Sequence, residues 1–211
     1  CLSHHPVVQR LTFRRWRPWA AGGSPIPTSR LQTYLAHGIE IQVGFGMTET
    51  GPTVFLIEKG ANPSKLGSVG KPQLYVDVRI VDRDGRDLPP GERGELLIKG
   101  PGVTPGYWQR PDVTAAAIDD GWLHSGDVAV RDADGYYTIV DRWKDMFISG
   151  GENVYPAEVE NVIYQLPQVA EAAVMCDVDE SLAEVGRAFV VDRAGQEKGA
   201  GQNIATTQSQ T

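Results

Sequence analysis

Two neighbouring side chains, Thr48 and Glu49, have the clearest potential for chemistry in this sequence. They follow a glycine–phenylalanine–glycine–methionine run at Gly44–Met47. A hydroxyl beside a carboxylate suits phosphate oxygens and a hard cation such as Mg²⁺. Glycines on both sides of Phe45 let the backbone approach a flat ligand, and the ring offers a stacking face. The residues alone leave two interpretations open, a nucleotide site and a tight turn with a buried phenylalanine and a surface glutamate.

A second carboxylate, Asp127, follows Ser125-Gly126 later in the chain. A carboxylate presented after such a turn can accept two hydroxyl hydrogen bonds, as a ribose diol requires. The competing interpretation is an aspartate that caps the turn before the next strand. His124 has the same two interpretations, a pocket residue or a side chain that is satisfied within the protein.

Two further segments of the chain are rich in glycine. Gly22–Pro25 precedes Pro27 and predicts a turn from a strand into a helix. Ser149–Asn153 follows the charged run Asp141–Asp145 and precedes Pro156. Proline suits the first turn of a helix, because its missing N–H costs nothing there. This second stretch therefore predicts a charged crossover, a flexible turn and a new helix.

The elements that must position these groups indicate a mixed α/β fold. A helix is predicted from Pro27 to Gly38, with Thr28 or Ser29 as its cap, and a short strand at Glu40–Gly44 runs into a glycine-broken loop. Alternating hydrophobic residues and Asp-Gly turns predict short antiparallel pairs through the middle of the chain. The predicted strands are 76–80, 95–99, 128–131 and 136–140, with turns at Asp84-Gly85 and Asp134-Gly135.

The pattern changes after Lys144. A helix from Pro156 is predicted to bury a single face that carries hydrophobic residues at helical spacing. That face consists of Val159, Val162, Ile163 and Leu166. Strands are predicted at Ala172–Cys176 and Arg187–Val191.

Composition narrows the function classes. The formal net charge of −7 argues against nucleic acid as the main partner, because phosphate backbones are bound by basic faces. No apolar run approaches the roughly 20 residues that a membrane-spanning helix needs. The two cysteines have no metal-like spacing, so a reduced, cytoplasmic compartment is expected. The oligomeric state stays open.

An ordered set of motifs resembles the adenylate-forming superfamily, which comprises acyl-CoA synthetases, luciferases and peptide-synthetase adenylation domains. The motifs are Gly-Gly-Ser-Pro, Gly-Phe-Gly-Met-Thr-Glu, Gly-Glu-Leu, Ser-Gly-Asp, Asp-Arg-Trp-Lys-Asp and Ser-Gly-Gly-Glu-Asn. They occur in the family's order between Ala21 and Glu160. Phe45 stands where tyrosine is more usual in the family, which keeps a stacking face and loses one hydroxyl. Pro18 departs from the uninterrupted strand that the family places there, because proline removes a hydrogen-bond donor from the strand pairing.

The resemblance implies a role for each matching residue. Phe45 would stack on adenine, Thr48 would contact phosphate and Glu49 would hold Mg²⁺, with Thr48 and Glu49 as the catalytic residues. Asp127 and Arg142 would bind ribose. Lys144 would lie at the interdomain hinge, and the glycine loop beyond it would lie where the pantetheine arm of CoA enters. The full set implied to bind nucleotide or CoA is Gly23, Ser24, Gly44, Phe45, Gly46, Met47, Thr48, Asp127, Arg142, Lys144, Gly150 and Gly151.

The same resemblance implies the domain organisation. Residues 1–144 would form the C-terminal, β-rich part of a large αβ domain, and 145–194 the start of a small α+β domain. Residues 195–211 have almost no apolar content and are predicted to be a disordered tail.

The function implied is that of an acid–CoA ligase, which activates a fatty or aryl carboxylic acid with ATP and Mg²⁺ and transfers the acyl group to CoA. Two family segments have no counterpart in the sequence: the upstream phosphate loop ending in Pro-Lys and the late Ser-Gly-Lys. Without that lysine the transition state loses a major electrostatic stabiliser, so this fragment is expected to adenylate poorly or not at all.

Alternatives of other classes remain. One is an adenylation domain that loads a carrier protein instead of CoA. Another is a non-catalytic, truncated product that retains a nucleotide half-site or only the fold. A third is a β-rich interaction module whose glycine loops resemble the family by coincidence.

Overall fold

The computed structural model describes residues 19–179 and 183–192, and these fall into two compact units that divide between Val140 and Asp141. Pro18 and residues 195–211 lie outside the described residues, so the expectations for both stay predictions. The mixed α/β class is confirmed. The elements of the first unit are β1 (Trp19–Ala21), α1 (Thr28–Ala36), β2 (Ile41–Met47), β3 (Gly51–Leu56), β4 (Lys71–Pro72), β5 (Asp77–Val81), β6 (Arg93–Lys99), α2 (Pro111–Ala117), β7 (Ile118–Asp119), β8 (Trp122–Arg131) and β9 (Tyr137–Arg142), whose last two residues fall in the second unit.

The first sheet has the order β1-β2-β3-β4, with β1 parallel to β2 and the other pairs antiparallel. The prediction that β2 breaks at Gly44 is wrong, because the strand continues to Met47. Gly44 and Gly46 fit inside the hairpin since β3 passes close to both. A Cβ on Gly46 would lie 2.5 Å from the Pro52 carbonyl carbon.

Helix α1 packs beside this sheet and buries Leu31. Neither predicted cap residue, Thr28 nor Ser29, caps it, because the helix already begins at Thr28 and Pro27 is the N-cap. The Pro27 carbonyl accepts the first hydrogen bonds of the helix. The predicted stop at Gly38 is confirmed: it has a φ of 73° and donates to the Leu35 carbonyl.

The second sheet has the order β5-β6-β8-β7, with β9 also paired to β8. Both predicted Asp-Gly turns are present, and Gly85 and Gly135 have the positive φ values that such turns favour. In the later turn the Asp132 carboxylate accepts hydrogen bonds from the backbone N–H groups of Asp134 and Tyr136. Two backbone hydrogen bonds join β9 to the segment before β4: the Val69 N–H donates to the Tyr137 carbonyl, and the Tyr137 N–H donates to the Gly70 carbonyl.

The core of the first unit forms from the inward faces of these elements. Its completely buried side chains include Phe55, Leu96 and Ile98. The Phe55 ring lies 4.9 Å from the ring of Tyr137, measured between centroids. This packing fixes β3, the strand that follows Thr48 and Glu49, against β6 and β9.

The second unit contains β10 (Phe147–Ser149), β11 (Glu152–Val154), α3 (Pro156–Ile163), β12 (Val169–Asp179) and β13 (Ala183–Asp192). Its sheet is antiparallel with the order β11-β10-β13-β12. The predicted strands at Ala172–Cys176 and Arg187–Val191 are confirmed within the longer β12 and β13. Phe147, Tyr155 and Val174 are buried here.

The prediction that α3 buries a continuous hydrophobic face is wrong. Val162 is 64% exposed, and Val159 and Leu166 are exposed as well. The helix ends at Ile163, so Leu166 lies in the following turn. Polar groups hold the helix to β12 instead: the Glu160 carboxylate accepts the Val174 N–H at 2.9 Å.

Candidate functional site

A single turn of 3-10 helix, Thr48–Thr50, presents the Thr-Glu pair between β2 and β3. Thr50 is buried, and its Oγ1 accepts the Met47 N–H at 3.2 Å. This internal bond closes the turn, so that Thr48 is left exposed and Glu49 is half-buried. The structure therefore places the predicted hydroxyl and carboxylate side by side on a short, closed turn.

Glu49 has a partner that the sequence motifs did not indicate. The Tyr107 hydroxyl donates to Glu49 Oε1 at 2.9 Å, and the Thr104 N–H donates to the Glu49 carbonyl at 2.7 Å. The bond to Glu49, with partial burial, raises the pKa of Tyr107, so the hydroxyl keeps its proton. The side chain of the adjacent Trp108 is 87% exposed, so it is not part of the core of the first unit.

Phe45 lies on β2 directly opposite Phe55 of β3. Their ring centroids are 6.0 Å apart, and Phe45 is half-buried against the core. The flanking glycines are explained by the protein itself, since a Cβ on Gly44 would lie 3.0 Å from the Phe55 carbonyl oxygen. The close approach that these glycines allow is therefore between strands, and stacking of Phe45 on a ligand stays a prediction.

Asp127 lies in an irregularity of β8. His124 pairs with Leu97 and Val128 pairs with Glu95, so Ser125–Asp127 form a bulge between two regular pairs. Gly126 has a φ of 73°, and the Asp127 N–H donates to Ser125 Oγ at 3.1 Å. A bulge redirects side chains within a strand. The residues that were expected to form a turn before a strand therefore form a bulge within β8.

His124 is satisfied inside the protein, which favours the structural interpretation of this residue. Its Nδ1 lies 3.0 Å from Glu95 Oε2 on the neighbouring strand. The sequence pattern did not indicate this pair, because Glu95 begins a predicted strand whereas His124 precedes the predicted strand 128–131.

The segment with Gly23 and Ser24 follows β1, and β1 pairs with β2 alongside Val43. A Cβ on Gly22 would lie 2.8 Å from the Gly44 carbonyl oxygen. Gly23 and Ser24 are exposed next to this contact. The structure thus brings two of the predicted glycine segments, Gly22–Pro25 and Gly44–Met47, to neighbouring strands of one sheet.

The remaining predicted residues belong to the second unit. Arg142 and Lys144 are exposed, and the Arg142 carbonyl accepts hydrogen bonds from the N–H groups of Asp145 and Met146. Gly150 and Gly151, with φ values of 58° and 91°, form the two-residue turn between β10 and β11. Two consecutive positive φ values define the tight hairpin turn that glycine favours.

Asp141 joins the charged run to α3. One of its carboxylate oxygens accepts the N–H of Ala157 at 2.9 Å, in the first turn of the helix. Carboxylates stabilise helix N-termini, and the N-cap residue Tyr155 provides no side-chain cap of its own. None of the sequence motifs indicated this contact.

Comparison with known proteins identifies the family. The model for the AMP-binding enzyme family matches residues 2 to 108, just over half of the 211 residues. The chain belongs to the AMP-binding enzyme family. The resemblance to adenylate-forming enzymes is thereby confirmed.

Relatives within this family match most of the chain. A feruloyl-CoA synthase from an Amycolatopsis species is 45% identical over 194 residues, which cover 92% of this chain and 40% of the relative. An o-succinylbenzoate CoA synthetase from Bacillus subtilis, solved in complex with ATP and a magnesium ion, has a TM-score of 0.80 at 35% identity over 89% of this chain and 39% of its own. An amide bond synthetase from Marinactinospora thermotolerans has a TM-score of 0.84 at 32% identity over 94% and 40% of the two chains.

The residues present fit a magnesium–nucleotide complex. Residues 19–179 and 183–192 contain no group of three or more histidine, cysteine, aspartate or glutamate side chains that could hold a metal by themselves. Mg²⁺ in nucleotide sites is usually bound by one or two carboxylates together with substrate phosphates. The half-buried carboxylate of Glu49, next to exposed Thr48, matches that requirement.

Among residues 19–179 and 183–192, no helix has the length and apolar character to cross a bilayer.

Proposed function

We propose that the protein containing this chain activates an aryl carboxylic acid with ATP and transfers the acyl group to CoA. The observation that carries this proposal is 45% identity to a feruloyl-CoA synthase over 92% of the chain. The chain spans about 40% of the length of the curated relatives it matches, so the complete reaction is proposed for the whole protein. In that reaction the carboxylate attacks the α-phosphorus of ATP, which forms an acyl-adenylate and releases pyrophosphate. The CoA thiol then displaces AMP.

The chain would supply the AMP-facing residues of this reaction. Glu49 would bind Mg²⁺ together with the nucleotide phosphates, and the Thr48 hydroxyl would donate a hydrogen bond to a phosphate oxygen. Bound Mg²⁺ neutralises the negative charge that accumulates on the reacting phosphates. Phe45 would lie against adenine, and the bulge at Ser125–Asp127 would present a carboxylate to the ribose hydroxyls.

Residues of the second unit would contribute to ribose binding, to domain rotation and to CoA binding. Arg142 would add a contact to ribose, and Lys144 would lie at the hinge between a large and a small domain. The short turn Arg142–Met146 supports this role, because exposed turn residues can absorb backbone rotation without uncovering a core. The Gly150-Gly151 turn would lie along the path of the CoA arm. In the first unit, the nucleotide and acyl pockets would be lined by Gly23, Ser24, Gly44, Gly46 and Met47.

The acceptor is the least constrained part of the proposal. Similarity to an amide bond synthetase at a TM-score of 0.84 favours an amine acceptor as a second candidate. A carrier-protein thiol is the third. An assay of the complete protein with acid and ATP against CoA, an amine and a carrier protein separates the three.

The ribose contact is the most direct test of the nucleotide site. We expect AMP to bind the wild-type chain in a calorimetric titration and binding to fall by roughly tenfold or more in Asp127→Ala, because a charged acceptor for two hydroxyls contributes about 1.5–3 kcal/mol. Asp119→Ala is the matched control, since Asp119 is an exposed aspartate elsewhere in the same sheet. Equal AMP binding in all three proteins would contradict the ribose role. Absence of AMP binding to a folded wild-type chain would contradict a nucleotide site in these residues.

A further inference from the structure

We infer that Tyr107 is a positioning residue for Glu49: its hydroxyl fixes one carboxylate oxygen and leaves the other for a magnesium ion bound with the nucleotide. The inference rests on the proposed function, because it assumes that Glu49 binds this cation. It adds a residue on a separate loop to the motif that the sequence indicates.

The loop before Tyr107 is attached to the Thr48–Thr50 turn at three points. The Tyr107 hydroxyl holds Glu49 Oε1, and the Thr104 N–H holds the Glu49 carbonyl. Gly102 approaches so closely that a Cβ there would lie 2.7 Å from the Thr50 carbonyl oxygen. The side chain and backbone of Glu49 are therefore both held by one segment, residues 102–107.

Helix α2 anchors Tyr107 from the other side. The Tyr107 N–H donates to Thr114 Oγ1 at 2.9 Å. The Thr114 hydroxyl in turn donates to the Arg110 carbonyl at 2.9 Å. Gly106 fits against Thr114 without room for a side chain, because a Cβ would lie 2.7 Å from Thr114 Cγ2. A chain of direct contacts thus runs from α2 through Tyr107 to Glu49.

The contacts of Glu49 suit a carboxylate that binds a cation. Among the described residues, Tyr107 provides the one side-chain hydrogen bond to Glu49, and it is made to Oε1. No positive side chain is paired with Glu49 in the same part of the chain, so its negative charge is not neutralised there. Partners that orient metal-binding carboxylates raise metal affinity because they fix the ligand in its binding orientation.

A similar pair elsewhere gives a matched control. The Tyr136 hydroxyl donates to Glu58 Oε1 on the surface, where Lys71 also lies 4.6 Å from the Tyr136 ring centroid. That glutamate belongs to none of the proposed binding motifs. Tyr136→Phe therefore removes the same kind of bond without touching the proposed site.

The test measures how nucleotide binding depends on magnesium. The probes are a non-hydrolysable ATP analogue titrated at increasing Mg²⁺ concentration, and AMP titrated without Mg²⁺. For Tyr107→Phe we expect the Mg²⁺ concentration that supports half-maximal analogue binding to rise roughly tenfold, with AMP binding unchanged. Tyr136→Phe should leave both unchanged, and Glu49→Gln should abolish the Mg²⁺ dependence.

The outcomes separate the inference from the proposed function. If Glu49→Gln abolishes the Mg²⁺ dependence while Tyr107→Phe behaves like wild type, the inference is overturned and the role of Glu49 stands. If Tyr107→Phe weakens AMP and the analogue equally, Tyr107 is a general structural residue and the inference is overturned as well. If Glu49→Gln retains the full Mg²⁺ dependence, both the inference and the proposed role of Glu49 fail.

A second measurement tests the Tyr107–Glu49 bond without any ligand. Wild type, Tyr107→Phe, Glu49→Ala and the double variant are unfolded with denaturant. If the bond exists, the midpoint shift of the double variant should be smaller than the sum of the two single shifts. The reason is that the bond is already lost after the first substitution and cannot be lost again. Additive shifts would overturn the inference.

Discussion

At the scale of single residues, Glu49 and Phe45 have their nearest partners on other segments of the chain, Tyr107 and Phe55. Thr48 and Glu49 lie side by side on one short turn. Tyr107, by contrast, contacts Glu49 across 58 residues of sequence, and no spacing rule connects two loops so far apart. The glycines beside Phe45 were attributed to a ligand, whereas the structure fills the space next to them with strand β3. The glycine pattern indicates that another group comes close to the backbone, but it does not indicate whether that group is a ligand or a neighbouring strand.

Gly46 allows a direct test of that explanation. In Gly46→Ala the new Cβ would lie 2.5 Å from the Pro52 carbonyl carbon and oxygen, so the hairpin must open. We expect the free energy of unfolding to fall by roughly 1–3 kcal/mol and AMP affinity to fall with it, both measured on the purified chain.

Gly85→Ala is the control for the Gly46 substitution. Gly85 has a φ of 77° and no atom within 4 Å of its Cβ position, so alanine there costs about 1–2 kcal/mol through backbone conformation alone. AMP binding should be unchanged in this variant. Wild-type stability of Gly46→Ala would contradict the proposed close packing of β2 on β3.

At the scale of elements, periodicity predicted strands and turns well and helix packing poorly. Both Asp-Gly turns and the strands around them form as expected, because these signals are local. The predicted hydrophobic face of α3 failed, since α3 ends at Ile163 and Glu160 attaches it to β12 through a backbone N–H. The bulge at Ser125–Asp127 was also missed, because a bulge depends on the register of β6 and β8 rather than on β8 alone.

One ion pair between elements should make stability depend on pH. Lys65 Nζ lies 2.6 Å from Asp132 Oδ2 and also contacts Asp134. Burial raises the pKa of Asp132, but hydrogen bonds from Lys65 and from two backbone N–H groups outweigh it and hold the pKa below its ordinary value. A lowered pKa in the folded state means that the carboxylate stabilises the fold above about pH 3.9. This contribution is lost as the pH falls through the lower, folded-state pKa.

Asp132→Asn tests this contribution because asparagine still accepts the two backbone hydrogen bonds of the turn. We expect wild type to exceed the variant in free energy of unfolding at pH 7, and the difference to vanish as the pH falls below about 4. Since the Asp132 side chain is 40% exposed, solvent screening keeps the difference below about 1 kcal/mol. In a Lys65→Met background the substitution should have almost no effect. A difference that persists at the lowest pH at which the chain folds would contradict the ion-pair explanation.

At the scale of the whole molecule, the chain divides between Val140 and Asp141, whereas the sequence predicted a domain boundary at Lys144 from its resemblance to a hinge. The structural division follows contacts within each unit, while the hinge prediction concerns the residue about which domains rotate. The hinge therefore stays a prediction. The family and the mixed fold could be predicted because six short motifs keep their order, whereas the acid and the acceptor depend on residues that no motif of this chain specifies.

The most informative prediction at this scale concerns the chain acting alone. Its sequence contains neither a phosphate loop ending in Pro-Lys nor a Ser-Gly-Lys segment. A lysine directed at the reacting phosphate contributes several kcal/mol of transition-state stabilisation in sites of this kind. We therefore expect the 211-residue chain to show acid-dependent ATP–pyrophosphate exchange at least about 100-fold below that of a feruloyl-CoA synthase assayed beside it with ferulate.

The same preparation should still bind AMP, because Phe45 and Asp127, which are proposed to contact adenine and ribose, both lie within the first unit. Binding without exchange would show that recognition of the nucleotide and stabilisation of the transition state reside in different segments of the protein. Exchange comparable to that of the feruloyl-CoA synthase would contradict the prediction and would require a cationic group within this chain to take the place of the lysine. Exposed Lys144 would then be the first candidate to substitute, because it lies in the charged run that the family motif includes.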